Sequence, residues 1–426
     1  MPSRTNRLKI AASIGPLIFK QREDLLHAHE QGKKVAWTTG GGPFLPLLAM
    51  DIQYHHAPSY AAWTCGRKQN VELLRFCESA GYAIPLCSYE KVSDAAAIKI
   101  RDGIPQAEPV ILPRPDFVFA LSGCPNHTFW AENIGRILNV PVHVVEMPMI
   151  RSRRDYEENH DRYRAYIERQ ITEGSIPFLE KMTGRPFDYD RMAECVATLR
   201  EVVKYRNRSL QLTKHVPAPC NFSEFGMSQA PVMALAGRPE SLVYFEQFNK
   251  ELEERIAQGI ASVPGEKYRL YWGHIPVWYA LGHLTELLAG YGAVVVCAAY
   301  THGPGFPSDP EVFNPEEPIR ALVNHLLGPG RNFGYEGQLN WLAETIRDYS
   351  IDGLIYHNHQ TCKALDTGQM DTLRDLDRRL RIPSVIVDCD AVDPSFYNEA
   401  EWDTKIRALL ETIDASRAAR PRPLPQ

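Results

Sequence analysis

Short apolar runs of strand length, each followed by a stretch with helical spacing, recur in two separate blocks of this chain. No other feature of the sequence limits its fold as strongly. In the first block, residues 31–150, the segments 33–37, 117–121 and 140–145 read as strands and 71–81 as a helix. In the second, residues 263–416, apolar runs at 268–272, 293–300, 353–356 and 384–388 are separated by helical stretches such as 339–349 and 372–381. Such alternation builds parallel sheets with helices on both faces. Between the blocks, residues 151–262 carry long charged stretches with apolar side chains at helical spacing, as in Tyr163, Tyr166, Ile167, Ile171 and Phe178. The expected fold is α/β: two Rossmann- or flavodoxin-like parallel-sheet domains joined by a mainly helical middle segment.

The ends are read differently. Residues 1–30 form an N-terminal helical segment, with a surface helix over the apolar stretch from Ile10 to Phe19. Arg4, Arg7 and Lys9 ahead of it mimic a secretory signal but lack a small-residue cleavage site. Residues 417–426, with Arg420, Arg422 and three prolines, are expected to be a disordered tail. No internal repeat of fixed period is evident.

Composition narrows the function. With 44% apolar and 23% charged residues in 426, the chain has the make-up of a globular protein, and its net charge of −5 offers no attraction for nucleic acid. The longest apolar run, Ala293 to Tyr300, falls far short of the roughly 18 residues of a membrane span. Nine cysteines are too sparse for a disulfide scaffold and odd in number, which points to the reducing cytoplasm. There, cysteines that matter usually bind metal or react.

Three of them stand out by position. Cys124 follows the strand 117–121 within Ser122-Gly123-Cys124-Pro125-Asn126-His127, and Cys362 follows the strand 353–356 within His357-Asn358-His359-Gln360-Thr361-Cys362-Lys363. Cys87 lies in Pro85-Leu86-Cys87-Ser88-Tyr89, after the helix ending near Gly81. Loops at the carboxyl ends of strands are where open α/β sheets collect ligands. Three thiolates from separate loops suit an iron–sulfur cluster or zinc with an open coordination position, and spacing alone leaves buried core cysteines as the alternative. Cys195, Cys220 and Cys297 read as structural, and Cys65, Cys77 and Cys389 as core filler.

At these residues the chain resembles the family that unites 2-hydroxyacyl-CoA dehydratases and ATP-dependent benzoyl-CoA reductases, in particular their larger cluster-binding subunit. The marks are Gly81-Tyr82 leading to Leu86-Cys87-Ser88-Tyr89, Pro115-Asp116-Phe117-Val118 leading to Gly123-Cys124 and Trp130, and Asp352-Gly353-Leu354-Ile355 leading to Thr361-Cys362-Lys363. Ile176-Pro177, Thr183-Gly184, Phe187-Asp188, Ile382-Pro383, Asp390 and Asp393-Pro394 extend the likeness over nearly the whole chain. The resemblance implies that Cys87, Cys124 and Cys362 bind one 4Fe-4S cluster with a non-cysteine fourth ligand. It implies a CoA-thioester substrate, a smaller homologous subunit or a second copy of this chain, and a separate iron–sulfur ATPase as electron donor. No G-x-x-x-x-G-K-[ST] loop is present, in keeping with ATP hydrolysis elsewhere, and Gly328 to Gly334 is read as a loop. A larger double cluster would need more thiols, for which Cys65, Cys77 and Cys389 are the candidates.

The implied chemistry has a physical rationale. Removing a β-hydrogen from a 2-hydroxyacyl thioester, or adding electrons to an aromatic thioester ring, exceeds the ~10²–10⁴-fold that side-chain acids and bases supply. One-electron reduction of the thioester carbonyl gives a radical anion that opens either route. The loop Trp37-Thr38-Thr39-Gly40-Gly41-Gly42-Pro43 aligns with the family's serine-containing active-site loop, so Thr38 and Thr39 are candidates to bond the thioester carbonyl; a simple turn is the alternative. Pro58 stands where the family commonly has glutamate, with His55, His56, Ser59 and Tyr60 as possible substitutes. His127, His357 and His359 are candidate proton donors beside the cysteines. Residues 268–270, 290–300 and 368–370 lean toward the benzoyl-CoA reductase branch, with the dehydratase as second reading and a cluster-carrying or CoA-ester-binding module as third.

Overall fold

The structure, a computed structural model, describes residues 3–40, 44–150, 152–227, 231–232, 235, 237–303, 309–328 and 334–419. Its framework is two four-stranded parallel sheets. The first contains β1 (Val35–Thr38), β2 (Gln53–His56), β3 (Phe117–Leu121) and β4 (Val142–Val145) in the order β2-β1-β3-β4. The second contains β5 (Tyr268–Trp272), β6 (Ala293–Ala298), β7 (Gly353–His359) and β8 (Ser384–Cys389) in the order β6-β5-β7-β8. The two orders are the same, so the chain carries one topology twice without a sequence period.

Consecutive strand residues feed opposite cores, as a two-residue period requires. Phe117 and Phe119 pack with Met192, Val196, Leu199, Phe245 and Phe248 of the helices Tyr189–Leu212 and Pro239–Gln258. Val118 and Ala120 face the other way, toward Ala61, Leu74, Val92, Ala96 and Trp130. Those residues belong to α3 (Ala57–Gly66), α4 (Asn70–Ser79), α5 (Ser88–Arg101) and α6 (Pro125–Leu138). In the second sheet Tyr271, Val294 and Val296 meet Leu342, Ile346 and Leu376, while Leu270, Trp272 and Val295 meet Leu284, Trp402 and Ile406. With both faces covered, β3 and β6 are apolar throughout rather than alternating. The helical middle is therefore the lid of one face of the first sheet.

Several boundaries differ from the sequence reading, each for a physical reason. β2 has one hydrocarbon-rich side chain among Gln53, Tyr54, His55 and His56 yet is fully buried, so it lacked the apolar signature of a strand. β6 stops at Ala298 and the chain turns into the helix Ala299–His302. β7 runs on to His359, which places His357 and His359 inside the sheet rather than in a loop. The last helix, Glu399–Ala419, extends through residues 417–419 of the expected tail, and residues 420–426 lie outside the described residues. So do Gly41, Gly42 and Pro43 of the glycine loop and residues 329–333 of the Gly328 to Gly334 segment. Among the described residues, no helix is long and apolar enough to cross a membrane.

Candidate active site

Each sheet reverses its winding direction between its two central strands, β1 and β3 in one and β5 and β7 in the other, the position at which open α/β sheets collect ligands. The expected site residues stand at these positions. Thr38 ends β1, Cys124 follows β3 and Cys362 follows β7.

All three candidate cysteines occupy the same local position, the residue that caps the N-terminus of a helix. Cys87 caps α5, Cys124 caps α6 and Cys362 caps the short helix Lys363–Asp366. Pro125 follows Cys124 directly, where its missing N–H costs nothing. The first-turn amides of Glu90, His127 and Leu365 bond the main-chain carbonyls of Cys87, Cys124 and Cys362, and none of them bonds a sulfur, but their positive ends lie near the three thiols and work to lower them. Donors at a helix N-terminus favour thiolate. Burial acts in the opposite direction and wins, pushing Cys87 well above the usual thiol range, Cys362 to about 11, and Cys124 upward. Without a bound cation the three are neutral thiols.

The three lie in one neighbourhood, because charge on Cys362 is felt at Cys87 and charge on Cys124 at Cys362. All are partly exposed, whereas the other six cysteines are buried. They are not drawn in upon a point. Among the described residues, no three His, Cys, Asp or Glu side chains are arranged to hold a single metal ion.

A second set of groups surrounds Gly40. Its φ of +70° suits glycine, and a β-carbon there would sit 2.6 Å from His127 Cε1 and 2.7 Å from Nδ1. His56 Nε2 donates to the Gly40 carbonyl at 2.7 Å, which leaves Nδ1 to accept from Ser59 Oγ at 2.6 Å. Burial lowers His56 to about 4, with His127 adding to the effect against the Gly40 bond. The Leu121 carbonyl lies near enough to the His127 ring to work against its lowering, and Nδ1 is buried without a partner. Burial lowers His127 to about 4 as well, so near neutrality the ring is uncharged. Thr38 Oγ1 is likewise buried and unpartnered, two residues from Gly40. Thr39 is also buried. His55 faces the opposite core between Trp37 and Tyr60. Pro58 is the second residue of α3, so no acid stands at that position.

Two carboxyls near the thiols had no signal in the sequence beyond helical spacing. Glu90, in the first turn of α5, raises both Cys87 and Cys124, and it is itself pushed up to about 9 by burial and then by Asp94. Asp94, one turn on, is pushed by burial to about 7 against a bond from Asn133. His357 is fully buried, its Nδ1 3.2 Å from Cys389 Sγ, and His359 is held by the main chain of residue 391. Cys65 and Cys77 lie within the core of the first sheet, and Cys389 in that of the second.

Comparison with known proteins gives these residues a setting. Residues 47–413 match the model of the family described as 2-hydroxyglutaryl-CoA dehydratase, D-component. The chain is 26% identical to the alpha subunit of the lactoyl-CoA dehydratase of Anaerotignum propionicum, over 98% of this chain and 99% of the relative. It is 24% identical to a subunit of the benzoyl-CoA reductase of Thauera aromatica, over 94% of each. It is 23% identical to the alpha subunit of the (R)-2-hydroxyglutaryl-CoA dehydratase of Acidaminococcus fermentans, over 95% of this chain and 97% of that one.

Proposed function

The chain belongs to the 2-hydroxyglutaryl-CoA dehydratase D-component family, and from that premise we propose that it is the iron–sulfur subunit of an oxygen-sensitive acyl-CoA enzyme of the reducing cytoplasm. Cys87, Cys124 and Cys362 hold one 4Fe-4S cluster with a fourth, non-cysteine position, and the bound cluster supplies single-electron reduction of a CoA thioester. The observation that carries this reading is the repeated geometry: three partly exposed thiols, each on the N-cap residue of a helix, gathered from both domains. The N-terminus of a helix favours negative charge on a nearby thiolate, and thiols that stand apart suit different irons of one cluster.

The chain's other groups have roles that follow from their atoms. Thr38 Oγ1 has a free hydroxyl to donate to a thioester carbonyl, with Thr39 beside it on the same loop. His127 Nδ1, neutral in its buried setting, accepts a proton or a hydrogen bond at the Gly40 turn. Partners are a smaller homologous subunit or a second copy, and a separate iron–sulfur ATPase activator.

Reduction of an aromatic thioester is the first reading, because Pro58 leaves the position of the expected carboxylate without an acid. Dehydration of a 2-hydroxyacyl-CoA is the second, favoured by the likeness to the lactoyl-CoA dehydratase. Incubating the anaerobic holoenzyme with its activator separates them. A benzoyl thioester that gains hydrogen as reductant is consumed supports the first. Loss of water from a 2-hydroxyacyl thioester with no net reductant use replaces it with the second. Tight binding of either ester without chemical change contradicts both and leaves a binding module.

A further inference from the structure

The thiols assigned to one site come from two domains, so something must fix the loop of Cys87 relative to that of Cys362. We propose that Thr361 and Asp390 form a positioning clamp that locks these loops together across the domain boundary, an inference that rests on the cluster-site reading above.

The clamp is a continuous hydrogen-bonded chain. The Ser88 amide, next to Cys87, donates to Thr361 Oγ1 at 3.1 Å, and Thr361 is next to Cys362. Thr361 Oγ1 donates in turn to Asp390 Oδ2 at 2.5 Å, and the Thr361 amide donates to the same oxygen at 3.2 Å. One hydroxyl thus accepts from the first domain and donates within the second, which a threonine or serine alone can do here. Asp390 is itself anchored: Oδ1 accepts from the amides of Val392 at 2.9 Å and Asp393 at 3.0 Å. His359 completes the shell. The Ala391 amide donates to its Nε2 at 2.9 Å, so that nitrogen carries the lone pair, and Nδ1 lies 3.2 Å from Asp390 Oδ2 without the alignment of a hydrogen bond.

The segment following Asp390 grips the first domain a second time. Asn70 Nδ2 of α4 donates to the Val392 carbonyl at 2.5 Å. Thr361, Asp390, His359, Ser88 and Asn70 are all almost completely buried. A buried carboxylate with several donors is rigid, because each lost bond leaves an unsatisfied polar group. The two thiol loops are therefore held in register by chain groups that do not touch the metal site themselves, so Thr361 and Asp390 are positioning residues.

The test uses the full-length chain, metal-free and then reconstituted. In the metal-free chain, a short bifunctional thiol reagent is applied and the link between Cys87 and Cys362 is quantified by mass spectrometry. Thr361→Val removes both bonds of the hydroxyl, and its link yield is expected to fall roughly tenfold, the scale of one lost bond to a buried charged group. Thr361→Ser retains the hydroxyl and is expected to stay within about twofold of wild type. Circular dichroism checks that each variant is folded; Asp390→Asn, which strips more bonds, is compared only if it folds. On reconstitution, Thr361→Val is expected to give an altered electron paramagnetic resonance signal of the reduced chain and Thr361→Ser the wild-type signal. Equal link yields in folded Thr361→Val and wild type would overturn the clamp. Absence of iron from wild type with the cross-link pattern intact would instead overturn the cluster reading and leave the clamp standing.

Discussion

At the scale of single residues, Gly40 is the position whose chemistry is most closely fixed. Its positive φ and its closeness to the His127 ring leave no room for a side chain. Gly40→Ala is expected to cost roughly 1–3 kcal/mol and to lower turnover more than binding, as thermal unfolding and kinetics on the holoenzyme would show. The glycines were visible in the sequence, as were the loop positions of Cys87, Cys124 and Cys362. The partners of these residues were not. That His56, rather than its neighbour His55, reaches the Gly40 carbonyl depends on which face of β2 each occupies, and a four-residue buried strand with little apolar content gave no such pattern. The same applies to Asp390, whose donors are the amides of Val392 and Asp393 just beyond it and one threonine 29 positions away.

At the scale of elements, the recurrent device is the helix whose N-cap is a cysteine. Strand and helix identities were legible wherever apolar runs reached four residues, as for β3, β5 and β7. The caps were legible only as cysteines near strand ends, since thiols are not usual capping residues. The start of α5 is tied down further by Lys91, whose buried ammonium bonds Glu78 at 2.8 Å and the Ile84 carbonyl at 2.7 Å, pinning the loop that leads to Cys87. Burial works to raise Glu78, but Lys91 and Arg75 hold it below the usual carboxylate range. Lys91→Met leaves Glu78 without that partner in a largely buried position. It is expected to lower stability by roughly 3 kcal/mol in urea denaturation. It should also raise the rate at which Cys87 is alkylated in the metal-free chain, and an unchanged rate would mean that the loop is held by other contacts.

At the scale of the molecule, one topology used twice places equivalent loops, those after β3 and β7, where Cys124 and Cys362 emerge. The alternation of short strands and helices disclosed both halves; their equivalence required the strand order. The interior also holds many histidines kept neutral. Burial lowers His56 and His274 to about 4, His302 to about 3, and His55 and His357 well below their ordinary range. In the unfolded chain each takes up a proton near its ordinary pKa of about 6.5, so below that pH the unfolded state binds more protons. Stability is therefore full above that pH and falls as pH drops toward about 4, by up to about 1.4 kcal/mol per pH unit for each histidine. Denaturation curves at a series of pH values would show this slope, and a flat profile would mean that these rings are not buried neutral.

The central claim is that three capping cysteines hold one cluster. Its most direct test is the iron and acid-labile sulfide content of the anaerobically purified chain, wild type beside Cys87→Ala, Cys124→Ala and Cys362→Ala. About four of each per wild-type chain are expected, and their loss in all three variants. No iron in the wild type, or full iron in any one variant, would contradict it.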